Sequence, residues 1–104
     1  MDKKYALEIV NNYINTLLLN EINVHSAYLF GSFAKGNSHK DSDIDLAIVL
    51  DKALNNFETE IKLMTLRKKN ETIIEPHIFD ENDFTKINPF FNEIMKTGIQ
   101  IKID

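Results

Sequence analysis

Apolar residues at Ala6, Leu7, Val10, Ile14, Leu17 and Leu18 recur at intervals of three and four. That spacing makes one apolar stripe and predicts a helix over residues 3–20. Val24 to Phe30 reads as a strand entering the core. Gly31 to Ser42 is polar and contains Gly and Ser, which predicts a loop with one helical turn after Gly31-Ser32. Ile44 to Leu50 is nearly all apolar, so it is expected to be a strand covered on both faces over much of its length. A second helix is expected over residues 53–68, with Leu54, Phe57, Ile61, Met64 and Leu66 turned inward. Thr72 to Phe79 reads as a third strand. Pro76 cannot donate to a ladder, which puts that strand at an edge or gives it a bulge. A helix at about residues 89–97 is opened by Pro89 and stopped by Gly98. Ile99, Ile101 and Ile103 alternate with polar residues and suggest a short terminal strand. This order predicts a small α/β or α+β sheet with helices packed mainly on one face.

Composition narrows the picture. The 104 residues carry 16 acidic and 12 basic side chains, for a net charge of -4. Length alone favours one domain over residues 1–104, with a core that needs no staples. The chain has no cysteine, which excludes a disulfide scaffold and any Cys-ligated zinc or iron–sulfur site. No apolar run is long enough to span a membrane. The lysines near the start precede no apolar segment of the secretion type, so a cytoplasmic protein is expected. An acidic chain with Arg67 as its single arginine is poorly suited to neutralising a phosphate backbone, and no direct nucleic-acid partner is expected. Arg67-Lys68-Lys69 reads instead as the solvated end of a helix, where cations suit the dipole.

The chemistry concentrates in Gly31-Ser32-Phe33-Ala34-Lys35-Gly36 and in Asp43-Ile44-Asp45, which opens an apolar strand. Residues i and i+2 of a strand project to the same face. Two carboxylates held side by side repel unless a cation lies between them. That arrangement suits a hard divalent ion, which takes oxygen ligands and leaves room for water and substrate phosphates. Gly31 lets the chain turn sharply out of the first strand. Ser32 then offers a hydroxyl and a backbone N–H at a helix start, a setting that binds phosphate. A Gly-Ser pair alone is a turn, and an Asp-x-Asp alone is a solvated loop. Their combination, with ten residues between Ser32 and Asp43, is far more specific.

The Gly31-Ser32 pair with Asp43-Ile44-Asp45 resembles the motif of the DNA polymerase β-type nucleotidyltransferases. The text GSFAKG…DSDIDLAIVL and the tail EIMKTGIQI are similar to the minimal nucleotidyltransferases found as antitoxin partners of HEPN-domain toxins. The resemblance implies a mixed β-sheet flanked by helices, two Mg2+ ions (with Mn2+ as a substitute) and ATP as the nucleotide donor. In the MntA-like antitoxins it further implies transfer of AMP to a tyrosine hydroxyl of a HEPN RNase toxin. Carried over by position, Gly31 and Ser32 become the triphosphate-binding pair, and Asp43 and Asp45 the metal carboxylates. The family's third carboxylate, on a later strand, falls to Glu75, with Glu71 as the fallback. Phe33 stands where many relatives have arginine, and Lys35 is a candidate to compensate in holding the nucleotide. These 104 residues leave little room for an acceptor-binding region, so a partner protein is expected to bring the acceptor.

Two other functions remain open on the residues: a non-catalytic antitoxin acting by occlusion, and a nucleotidyltransferase acting on a small-molecule hydroxyl. Among the remaining polar residues, Asp41 reads as a turn cap. His77 shares a strand face with Glu75 and reads as a hydrogen-bonded structural histidine, with substrate orientation as its alternative. His25 and His39 have no partner that can be named. Phe90-Phe91 is a candidate protein-binding patch. Tyr5, Tyr13 and Tyr28 read as structural.

Overall fold

A computed structural model describes residues 2–36, 42–51 and 56–103. Helix α1 runs Lys3–Leu19. It starts where the Asp2 carboxylate accepts the Tyr5 N–H at 2.9 Å, which satisfies one of the orphan donors of the first turn. It ends at a left-handed residue, Glu21, with φ 62°. There the Ile22 N–H reaches the Leu17 carbonyl at 3.0 Å and the Glu21 N–H reaches Leu18 at 3.1 Å. Ala6, Ile9, Val10, Tyr13, Ile14 and Leu17 are its buried face. Leu7 and Leu18 sit on the margins of that face.

Four strands follow: β1 Val24–Phe30, β2 Ile44–Leu50, β3 Ile74–Asp80 and β4 Ile99–Gln100. They pair in the order β3-β2-β1-β4. The β1 strand is antiparallel to both β2 and β4, whereas β2 and β3 are parallel, so the sheet is mixed. Pro76 lies on β3 at the sheet's edge, where its missing N–H costs no inner ladder bond.

Alternation along the strands divides the interior in two. Ile44, Leu46, Ile48 and Leu50 of β2 join α1, Ala27, Leu29 and Ile74 in the larger core. Phe33 of the short helix α2 (Ser32–Lys35) and Leu63 of α3 (Asn56–Thr65) enter the same core. On the opposite face Phe30, Ala47, Val49 and Phe79 pack with Ile94 of α4 (Pro89–Thr97). Helix α4 begins at Asn88, whose side chain accepts the Phe90 N–H at 2.9 Å, and has Pro89 in its first turn. It stops at Gly98, where a Cβ would lie 2.5 Å from the Ile94 carbonyl oxygen. The tail beyond it is bonded to β1 through the Ile101 N–H and Ala27 carbonyl at 2.8 Å.

The expected orientation of α3 is corrected. Leu63 is its fully buried residue, whereas Phe57, Ile61 and Met64 are 73%, 47% and 41% exposed. Leu66 is half-buried, and Leu54 lies outside the described residues. Fixed points outside the helix decide its rotation. The Tyr13 hydroxyl donates to the Leu63 carbonyl. Arg67 donates to the carbonyls of Met64 (3.0 Å), Thr72 (3.0 Å) and Ile74 (2.9 Å). The arginine of the basic cluster thus caps the helix and staples it to β3, whereas Lys68 and Lys69 are exposed. A 3-10 turn at Lys69–Glu71 completes the connection, with the Glu71 carboxylate accepting the Lys68 N–H at 2.7 Å.

This orientation has a direct test in urea unfolding. Leu63→Ala should cost about 2–5 kcal/mol, as buried leucines do, and Ile61→Ala should stay within about 0.5 kcal/mol. Equal losses at the two positions would mean the helix is turned the other way.

Candidate active site

The site grows from the end of β1. Phe30 is buried, and Gly31 then takes φ 76° and ψ −152°. That region is almost closed to residues with a side chain. Space imposes the same choice, because a Cβ on Gly31 would lie 2.3 Å from Asp45 Oδ2. Ser32 follows, half-buried, as the first residue of α2. Phe33, only 1% exposed, is the apolar anchor that fixes this turn to the core. A side chain turned into the core is out of reach of a phosphate at this turn. The Lys35 ammonium is paired with Glu93 of α4 at 2.9 Å, both side chains well exposed.

Asp45 lies one residue inside β2. It is paired on one side with Phe30 of β1 and on the other with Glu75 of β3. In-register neighbours share a face, and His77 joins them two residues beyond Glu75. One donor atom from each of Asp45, Glu75 and His77 can be chosen so that all lie within 4.8 Å of one another. His77 Nε2 is 3.2 Å from Asp45 Oδ1. That bond raises the histidine pKa above its usual value, against the opposing effect of burial. The imidazole is held by ring contacts with Phe30 at 5.1 Å and Phe90 at 5.9 Å. Glu75 is exposed at the sheet's edge and opens onto a cavity of about 330 Å³. His77, Phe79, Phe90 and Glu60 of α3 also line it. Asp43 is exposed immediately before β2 and is not among the donors grouped around Asp45.

The two glutamates named from sequence have different surroundings. Glu75 faces Asp45. Glu71 is 1% exposed, and its carboxylate is taken up by the Lys68 N–H in the α3–β3 connection. It adds to the rise in the Tyr13 pKa, behind the dominant effect of burial, so it belongs to the α1 side of the sheet. His77 is hydrogen-bonded as expected, but its partner is a candidate metal ligand rather than a scaffold group. The common strand face of residues 75 and 77 was the signal for that contact. Nothing in the sequence signalled that Glu60 and Phe90 would border the same cavity. Phe91, taken with Phe90 as a binding patch, instead packs edge-on against Phe84 at 4.9 Å. Asp41 and His39 lie outside the described residues.

The divalent ion of such a site can be tested against these donors. Two carboxylates and an imidazole converge within one ion's reach, and the glycine that makes room for Asp45 admits no Cβ. The residues fit a divalent cation.

The family described as "Polymerase beta, Nucleotidyltransferase" matches residues 12–103. No curated protein matches the chain by sequence. Among solved structures, the chain is similar to a toxin–antitoxin crystallised with AMP-PNP, at 25% identity and TM-score 0.62, over 90% of this chain and 73% of that one. Two mutant forms of the MntA-HpeT toxin–antitoxin share its fold. One has 23% identity and TM-score 0.59, over 90% of this chain and 73% of that one. The other has 24% identity and TM-score 0.58, over 90% and 72%.

The close approach of Gly31 and Asp45 makes a prediction. Gly31→Ala should lose about 1–3 kcal/mol to backbone strain. It should also displace the Asp45 carboxylate, so that Mg2+ no longer raises the Tm. A variant with native urea stability and a native Mg2+ response would remove this constraint. The extent of the match, together with the sheet and site it covers, establishes that the chain belongs to the polymerase beta nucleotidyltransferase family.

Proposed function

We propose that this chain is an antitoxin nucleotidyltransferase that transfers AMP from ATP to a tyrosine hydroxyl of a HEPN-domain RNase toxin and so silences it. The observation that carries this reading is the place of Asp45. It stands between the Gly31-Ser32 turn at the end of β1 and Glu75 on β3. A phosphoryl centre needs a leaving group on one side and an entering oxygen on the other, and the strand order provides two such sides. The similar toxin–antitoxin crystallised with AMP-PNP supports ATP as donor and a toxin as partner. An ATP-dependent partner reaction also fits a cytoplasmic protein.

In this mechanism Gly31 and Ser32 receive the triphosphate through backbone N–H groups and the Ser32 hydroxyl. Asp43, Asp45 and Glu75 would hold two Mg2+ ions, with His77 fixing the orientation of Asp45. Magnesium, when bound, neutralises triphosphate charge and makes the acceptor hydroxyl more acidic. Glu75, at the open edge, accepts the hydroxyl proton. The acceptor oxygen then bonds to the α-phosphorus as the bond to the departing pyrophosphate breaks. Lys35 joins the phosphate side by exchanging its exposed partner Glu93 for the nucleotide, a small cost for a surface pair. The edge position of Glu75 leaves its far side open to an acceptor presented by another protein.

The test presents the purified chain with the HEPN-domain toxin of its own locus, ATP and Mg2+. The toxin should gain the mass of AMP at a tyrosine. Asp43→Asn with Asp45→Asn should abolish the gain, and Glu75→Gln should slow it by about a hundredfold or more. Undiminished labelling by the double variant would refute the assignment. A toxin silenced with no change in mass would favour occlusion.

A further inference from the structure

The outer edge of β3 is open over one short stretch. The Ile44 N–H donates to the Ile73 carbonyl and the Glu81 N–H to the Leu50 carbonyl, both at 2.9 Å. Alternate residues of a strand turn their backbone N–H and C=O to opposite sides. Glu75, His77 and Phe79 therefore bond toward β2, and Ile74, Pro76, Ile78 and Asp80 turn theirs outward. The two ends of that outward row are already occupied. Arg67 donates to the Ile74 carbonyl at 2.9 Å. The Asp83 and Phe84 N–H groups donate to the Asp80 carbonyl at 2.9 and 3.0 Å. Between these ends, the Pro76 carbonyl and both backbone groups of Ile78 pair with no strand or turn among the described residues. The cavity of about 330 Å³ lies along this same stretch, lined by the consecutive residues Glu75 to Phe79. Consecutive residues belong to opposite faces of a sheet, so the cavity runs against the strand's edge. Glu60 of α3 borders it from one face and Phe90 of α4 from the other.

A free edge flanked by two helices is a slot for one more strand. We propose that an extended, basic segment of the acceptor protein adds to β3 in this slot and so brings its hydroxyl side chain to Glu75. The Pro76 carbonyl and the N–H and carbonyl of Ile78 are the backbone groups that hold it. Whichever way the segment runs, its residue opposite His77 turns onto the face that carries Glu75. Charge sets the kind of partner. Glu60 and Glu75 border the slot and the chain has a net charge of -4, which favours lysines or arginines beside the acceptor residue. Phe57 and Met64, exposed one turn to either side of Glu60, and the half-exposed Phe90 add apolar contacts. Pro76, which lacks an N–H, and the two occupied carbonyls keep the open stretch short, which limits pairing between copies of this chain. Docking at this edge rests on reading Glu75 as the carboxylate of the acceptor side, and adds to that reading how the acceptor is held.

Amide exchange followed by NMR, on the chain alone and with the HEPN-domain toxin of its own locus, tests the docking with no transfer taking place. The Ile78 N–H should exchange at least about tenfold more slowly in the complex. Ile78→Pro removes that N–H and leaves the β2 ladder untouched. It should bind the toxin roughly tenfold or more weakly, with its affinity for ATP in Mg2+ kept within about threefold. Ile78→Val keeps the N–H and should bind the toxin as the wild type does. Glu60→Lys should also weaken binding, and added salt should narrow its difference from the wild type. Circular dichroism confirms that each variant is folded; if Ile78→Pro is not, the wild-type exchange and Glu60→Lys decide. Toxin bound with Ile78 exchange unchanged, or bound at full affinity by folded Ile78→Pro, would overturn docking at this edge and leave nucleotidyl transfer standing. No toxin binding by the wild type, with or without ATP, would overturn the toxin reading as well.

Discussion

The structure turns on the close packing of one carboxylate against one backbone. Asp45 fills the space where any side chain on residue 31 would have to go. The turn out of β1 and the start of β2 are therefore fitted to each other. Gly31 supplies a conformation that other residues reach only with strain. Phe33, one turn further on, is driven into the core and holds that conformation. The Gly31-Ser32 turn and the strand that carries Asp45 are thus parts of one packed unit, so displacing either group disturbs the other.

The second requirement is the register of β3. A slip of one residue would carry Glu75 and His77 to the opposite face of the sheet. The connection that sets this register is polar and partly buried, which is unusual for a loop. Arg67 satisfies carbonyls at the end of α3 and at the start of β3. Glu71 closes the 3-10 turn between them, and Ile44 donates back to the Ile73 carbonyl at 2.9 Å. Burying a carboxylate and a guanidinium is expensive without partners, and here their partners are the backbone groups that a crossover would otherwise leave unsatisfied. These residues touch no candidate ligand. Their effect on the site is to place Glu75 opposite Asp45.

The two faces of the sheet divide the labour. The α1 face is a nearly continuous apolar core and carries most of the burial. The α4 face holds a smaller aromatic core that gives way, toward the end of β1 and the start of β2, to Asp45, Glu75 and His77. The phenylalanines along that border belong to both. Phe30 and Phe90 shield the α4 face and also fix the imidazole. Part of the site's rigidity is therefore hydrophobic in origin.

What could be read from the chain alone was whatever depends on local rules. β1 and β2 were legible to the residue, because apolar runs bounded by turn chemistry leave little freedom. α4 was legible for the same reason, with Pro89 at its start and Gly98 past its end. The Gly31-Ser32 and Asp43-Ile44-Asp45 spacing pointed to the site because turns and strand faces are properties of a few consecutive residues. The rotation of α3 was not legible. Its sequence offers two plausible inward sides, and Tyr13 and Arg67, remote in sequence or beyond its end, select the one bearing Leu63. The different surroundings of Glu71 and Glu75, the contact of His77 with Asp45 and the place of Glu60 and Phe90 beside the cavity were likewise tertiary decisions. Each depends on which strands become neighbours and in what register, and no local pattern of side chains encodes a partner 30 or more residues away.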